Sequence, residues 1–214
     1  MKKVFLFIVL TFVCNNIICG QTLSSNVDVK KLNARANVLA KKFCDCIVMV
    51  GTSSNGLSST YKKKLINEVG NDFYNYYEDP RRMTTTRSNG KVRRQPIHSY
   101  LNNLLAQSNL KNRVQRRKYE IRCEFFCLDD VVNNWVPIDK PLSDGCKLYY
   151  REFKFYQTYR VIDIFNKNPE RRNIEYQEKE KKTMIIYAIK KPGTGKLVVR
   201  LGDITRSECK DSRR

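Results

Sequence analysis

The hydrophobic period of this chain changes once, near Ser108. Before that point apolar residues recur every three or four positions, and after it every two. A helix repeats its buried face about every 3.6 residues and a strand every 2, so helices come first and strands follow. That segregation predicts an α+β fold, with N-terminal helices packed on one face of an antiparallel sheet.

The pattern gives helices over about residues 27–50, 59–78 and 96–107. Ser25 or Asn26 can cap the first, with Asp28 in its first turn where a negative charge suits the helix dipole. Its stripe is Leu32, Ala36, Leu39, Phe43, Ile47 and Val50; the second helix carries Tyr61, Leu65, Val69, Phe73 and Tyr76. A short hairpin with Asn89-Gly90 as its turn comes next. Pro96 then opens the third helix, whose apolar face is Ile97, Leu101, Leu104 and Leu105. Strands are expected over about 116–128, 147–163, 183–191 and 196–204, the long one bent by a β-bulge near Arg151. Pro192 to Gly195 make the last hairpin turn, and the charged segment 166–182 reads as a loop. The GTGK within that turn is no phosphate loop, because the GxxxxGK[ST] spacing is absent.

Residues 1–20 read as a cleaved signal peptide: a Lys2-Lys3 head, the apolar run Val4–Val13, and small Gly20 before Gln21. The run is too short to cross a bilayer, which takes about 20 apolar residues, and no later stretch of the mature chain comes close. Periplasmic or extracellular localisation follows. Lipidation at Cys19 is the lesser alternative, since Ile18 and Asn16 do not make a lipoprotein signal.

Cleavage leaves Cys44, Cys46, Cys123, Cys127, Cys146 and Cys209, an even number that suggests disulfides outside the cytoplasm. Cys44 and Cys46, two apart on a helix, point to different faces. Cys123 and Cys127 lie on one strand face roughly 13 Å apart at ~3.3 Å per residue, beyond bridging distance. Any bridge must therefore join distant segments. A four-thiolate zinc site is the competing reading, but the close clusters CDC and CEFFC lack a CxxC pair. No metal and no cofactor are expected.

The formal net charge of +20 falls to +18 once Lys2 and Lys3 are removed. Such an excess points to nucleic acid, acidic glycan or an anionic surface, unless it is simply a solvated basic face. The charges are scattered in short runs rather than gathered in a tail.

The segment IHSYLNNLL entering the third helix, the long strand 147–163 and the closing GKLVVRLGDI resemble the nuclear transport factor two-like (SnoaL-like) superfamily. The match is to secreted proteins of Bacteroidetes type and covers most of residues 27–205. The resemblance implies a cone-shaped, cystatin-like/SnoaL-like fold with a pocket between helices and a curved sheet. Enzymes of that superfamily line the pocket with Asp–His or Tyr–Asp pairs, while many members are not catalytic, so the fold alone implies no activity.

Chemistry-bearing residues are few. His98 is the single histidine and has no fixed carboxylate partner in sequence, which suits a structural role better than catalysis. Asp129-Asp130 reads as a turn. Tyrosines cluster in FYNYY and YYREFKFYQTY, where rings interleaved with cations suit sugars, nucleobases or anions. The ligand-site candidates are Tyr150, Arg151, Lys154, Tyr156 and Arg160, although strands favour aromatics without any such purpose. The reading is an exported binding or structural module with a pocket. A pocket enzyme using His98 or a buried tyrosine, of isomerase, dehydratase or hydrolase type, is the alternative. A basic adaptor for acidic glycan or nucleic acid is the third. A small molecule or glycan, a polyanion and a second copy of the chain remain the partner classes.

Overall fold

The computed structural model describes residues 26–53, 56–74, 81–86, 91–109, 117–125, 135–139, 145–163 and 174–206. The leader, Asn89-Gly90, Tyr76, Asp129-Asp130, Cys127, Cys209 and Arg116 lie outside them, as do the side chains of Ser25, Asn26 and Asp28.

Helix α1, Asn26–Gly51, buries its whole expected stripe from Leu32 to Val50. It packs on the sheet along one side and on the other two helices along another. That double burial is why Cys44 and Cys46 are both only 2% exposed despite pointing to different faces. Helix α2, Ser59–Gly70, begins after Ser58, whose Oγ accepts a hydrogen bond from the Tyr61 amide at 3.2 Å.

The buried face of α2 is Lys62, Ile66 and Val69, and Tyr61 is 45% exposed, so the expected stripe was rotated. The reason is Lys62. Its Nζ reaches the carbonyls of Val50 and Thr52, at 3.4 and 2.9 Å, and Ser108 Oγ at 3.2 Å. It places a cation on the carbonyl end of α1, where the dipole favours one. A search for apolar periodicity reads such a position as outward. The helix also stops at Gly70 rather than 78, and Phe73 instead bridges to Leu201 beside the sheet.

Helix α3, Ile97–Asn109, buries Ile97, Tyr100, Leu101, Leu104 and Leu105. The seven strands are β1 (Arg82–Thr86), β2 (Val92–Pro96), β3 (Arg117–Phe125), β4 (Val136–Ile138), β5 (Lys147–Asp163), β6 (Ile174–Lys190) and β7 (Leu197–Arg206). The sheet runs β2-β1-β7-β6-β5-β3, with β4 alongside the start of β5. The β1–β7 pair is parallel, which makes the sheet mixed rather than wholly antiparallel. Asp203 fastens that junction by accepting the Arg82 amide at 2.8 Å and pairing with Arg94 at 3.0 Å.

Three local expectations are corrected. Strand β6 starts at Ile174, so most of the segment read as a loop is strand. The β5–β6 register shifts at Val161/Ile162 and stays regular through Arg151. The segment after Trp135, outside every strand expected from the sequence, contributes β4.

The C-terminal end of α1 approaches β3 closely. A Cβ at Gly51 would lie 2.2 Å from Ile121 Cδ1, a clash only glycine avoids. Beyond it Ser53 donates its amide to the Tyr119 carbonyl at 3.0 Å, and Thr52 Oγ1 and Ser53 Oγ accept from the Ile121 and Tyr119 amides. These residues cover part of an edge that would otherwise expose unpaired backbone.

Candidate functional site

Strand pairing sets the character of the helix-facing side of the sheet. Rows across β3, β5 and β6 are Phe125–Phe155–Lys182, Cys123–Gln157–Glu180, Ile121–Tyr159–Glu178 and Tyr119–Val161–Tyr176. Below them the β5–β6 pairs Phe153–Met184 and Arg151–Ile186 lead into the apolar core. The face therefore passes from aliphatic core to tyrosine, glutamine and glutamate along the same strands.

The polar end opens into a cavity of about 1020 Å³ between this sheet region, α3 and the β1–β2 hairpin. Three tyrosines run along its sheet wall. The Tyr159 ring lies 6.0 Å from that of Tyr119 and 6.3 Å from that of Tyr176. Tyr176 donates its hydroxyl proton to Glu178 Oε2 at 2.6 Å. At the floor Gln157, only 7% exposed, donates from Nε2 to the Tyr100 hydroxyl at 2.5 Å. Gln157 Oε1 is buried with no hydrogen-bond partner among the described residues. Such an orphaned acceptor costs roughly 1–3 kcal/mol unless a ligand or water supplies a donor.

Charge around the cavity is mostly paired. Lys182 has no exposed surface; it donates to Glu180 Oε2 at 2.5 Å and to the Thr84 carbonyl at 2.8 Å. Its burial pulls the ammonium pKa down. Arg117 pairs with Glu175 at 2.6 Å.

The titratable groups favour their neutral forms. Burial pushes up the phenol pKa of Tyr100 and Tyr159 and takes that of Tyr176 to about 12. These phenols hold their protons at neutral pH and supply no base. Among the cysteines, Cys44 shares a hydrogen bond with Cys123 that, with burial, raises its pKa, and burial takes Cys46 to about 12. Thiols in that state are poor nucleophiles. The four described cysteines, Cys44, Cys46, Cys123 and Cys146, are free thiols. No three His, Cys, Asp or Glu side chains among the described residues are grouped to hold a metal ion.

The ligand-site candidates from the sequence divide between the two faces of β5. Arg151 faces the helices, 4% exposed, where it donates to Asn33 Oδ1 at 2.6 Å and stands over the Phe153 ring at 4.9 Å. Tyr150, Lys154, Tyr156 and Arg160 lie on the opposite face, away from the cavity. His98 is exposed, accepts at Nε2 from Asn102 Nδ2 at 2.9 Å, and does not line the cavity.

The residues that do line it, Tyr100, Gln157, Tyr159, Tyr176, Glu178 and Glu180, were absent from that set. One signal was available. A strand as long as β5 needs a partner of equal length, and antiparallel return across residues 164–173 puts Tyr176, Glu178 and Glu180 opposite Val161, Tyr159 and Gln157.

No helix among the described residues is long and apolar enough to cross a membrane. No family model matches the chain, and no curated protein matches it. None of the comparisons reaches the nuclear transport factor two-like superfamily. A solved structure of a periplasmic fragment of TraM is similar at 9% identity, covering 81% of this chain and 97% of that one, with a TM-score of 0.32. A likeness that slight carries no argument about fold or role, and the cavity has to be read from its own residues.

Proposed function

We propose that this protein is an exported, non-enzymatic binding module whose ligand site is the cavity between α3, the β1–β2 hairpin and the β3–β5–β6 face. The observation that carries the reading is the polar floor: Gln157 is buried with an unanswered acceptor beneath a wall of three tyrosines. A concave site with a few convergent polar groups among aromatic surfaces is the usual form of a small-molecule site. Against catalysis stand the protonated phenols and the exposed His98, which does not line the cavity. Thermal-shift titration of the chain with a panel of small polar molecules tests the reading. A ligand that raises the melting temperature of the parent but not of Tyr159→Ala supports it. Equal shifts in parent and variant would place binding elsewhere.

Export through the N-terminal leader sets the redox surroundings. There Cys44 and Cys123, whose thiols already share a hydrogen bond between α1 and β3, close to a disulfide. Exchange with a protein or small-molecule disulfide, before α1 docks on β3 and buries Cys44, forms the new S–S bond; the two thiol protons pass to the oxidant's sulfurs, which leave as two thiols. Peptide mapping of unreduced Cys127→Ser protein should recover Cys44 linked to Cys123. Both residues alkylated, or Cys44 linked to Cys146 or Cys209, would refute the pairing.

A further inference from the structure

On a chain of net charge +20 the expected partner is an anion, yet three carboxylates, Glu175, Glu178 and Glu180, line the cavity. We propose that the cavity takes a small organic cation bearing N–H donors, an amine or amino sugar; this rests on the binding-module reading above. Three observations carry it together.

The first is Glu178. Of the three carboxylates at the cavity, Glu175 is held by Arg117 and Glu180 by Lys182. Glu178 accepts the Tyr176 hydroxyl proton and forms no ion pair among the described residues; the Lys182 ammonium, which it attracts, is spent on Glu180. The second is Gln157 Oε1, buried at the floor and lacking a donor. An amine with several N–H groups can give one to Glu178 and another toward Gln157, whereas an anion offers a donor to neither. The third is aromatic. The Tyr119–Tyr159–Tyr176 chain lines the same wall, and ring faces attract cations within about 6 Å of the centroid.

Two cations also line the cavity, Arg93 from the hairpin and Arg117 from β3. Arg117 is neutralised by Glu175, and Arg93 is an exposed side chain. Neither faces Glu178 across the sheet, where its row neighbours are Tyr159 and Ile121.

The test uses the full chain and four probes in calorimetric titration: putrescine, glucosamine, glucose and glucose 6-phosphate. Glucosamine and glucose share a ring and differ in the ammonium, so their ratio isolates charge. At least one of the two amines should bind more tightly than both glucose and glucose 6-phosphate. Glu178→Gln should weaken amine binding by tenfold or more, while Glu152→Gln, on the outer face, should leave it unchanged. Glucose binding as tightly as glucosamine, and lost in Tyr159→Ala, would overturn the cation while sparing the binding module. A preference for glucose 6-phosphate would overturn it in favour of an anion site. No binding of any probe at millimolar concentration would overturn both.

Discussion

Phe43 shows how much one side chain on α1 holds. It is fully buried, and its ring meets that of Phe73 edge-on at a centroid separation of 5.5 Å. Phe43→Ala should cost about 3–5 kcal/mol through the cavity left behind. Lys41→Ala, two residues away on the exposed face, should stay within about 0.5 kcal/mol in urea melts. Buried titratable groups set a second expectation. Tyr100, Tyr159, Tyr176 and Cys46 have folded pKa values raised above their ordinary 10.0 and 9.0. Between the unfolded and folded values the unfolded chain binds fewer protons, so stability is lost as pH rises. Lys62 and Lys182 oppose this, since burial lowers their pKa below 10.5 and their effect on stability rises with pH until that value. The unfolding free energy should therefore fall most steeply above pH 10.5, toward the value of about 12 for Tyr176 and Cys46. Urea midpoints that stay constant between pH 10 and pH 12 would contradict the burial of these groups.

Elements were legible where one face is apolar and the other is not. The stripe of α1, the limits of β5 and the turn before β7 follow from that contrast. The first half of β6 has no such contrast. Tyr176, Glu178 and Glu180 face the cavity while Gln177, Lys179 and Lys181 face outward, so both sides are polar and the run resembles a solvated loop. Its site residues were hidden for the same reason. Strand β4 is three residues long and too short for any period to register. The contact between α1 and β3 is tertiary and invisible to local pattern, and it gives a direct test. Gly51→Ala places a methyl against Ile121, which is 1% exposed and boxed in, and should cost about 1–3 kcal/mol. Ile121→Val in the same chain removes the clashing Cδ1 and should recover part of that loss. Strictly additive effects of the two substitutions would mean that the two do not touch.

Among the described residues the positive charge is distributed rather than focused. On the outer face of β3, β5 and β6, Glu120 meets Arg122 at 2.7 Å and Arg160 at 3.9 Å, and Glu124 meets Lys179 at 3.3 Å. Arg151, one of the three basic ligand-site candidates on β5, is in the core. Lys118 and Arg117 occupy successive positions on β3 and so face opposite ways. Heparin binding should accordingly show a shallow log–log dependence on salt. The double variant Lys154→Ala with Arg160→Ala should change that slope by less than one unit, whereas a fall of two would indicate a shared phosphate- or sulfate-binding face.

The parallel pairing of β1 with β7 has a consequence in time. Met83 cannot meet Ile204 until the chain has been synthesised as far as β7, so the β1–β2 hairpin waits for its neighbour while β3, β5 and β6 are made. A ribosome adding about 5–20 residues per second leaves that hairpin without its β7 neighbour for several seconds or more. Contacts between such distant segments slow the final docking step, because the loop must close before the contact offsets its entropy. The hairpin also forms one wall of the cavity, so that wall is fixed in place only after β7 has emerged.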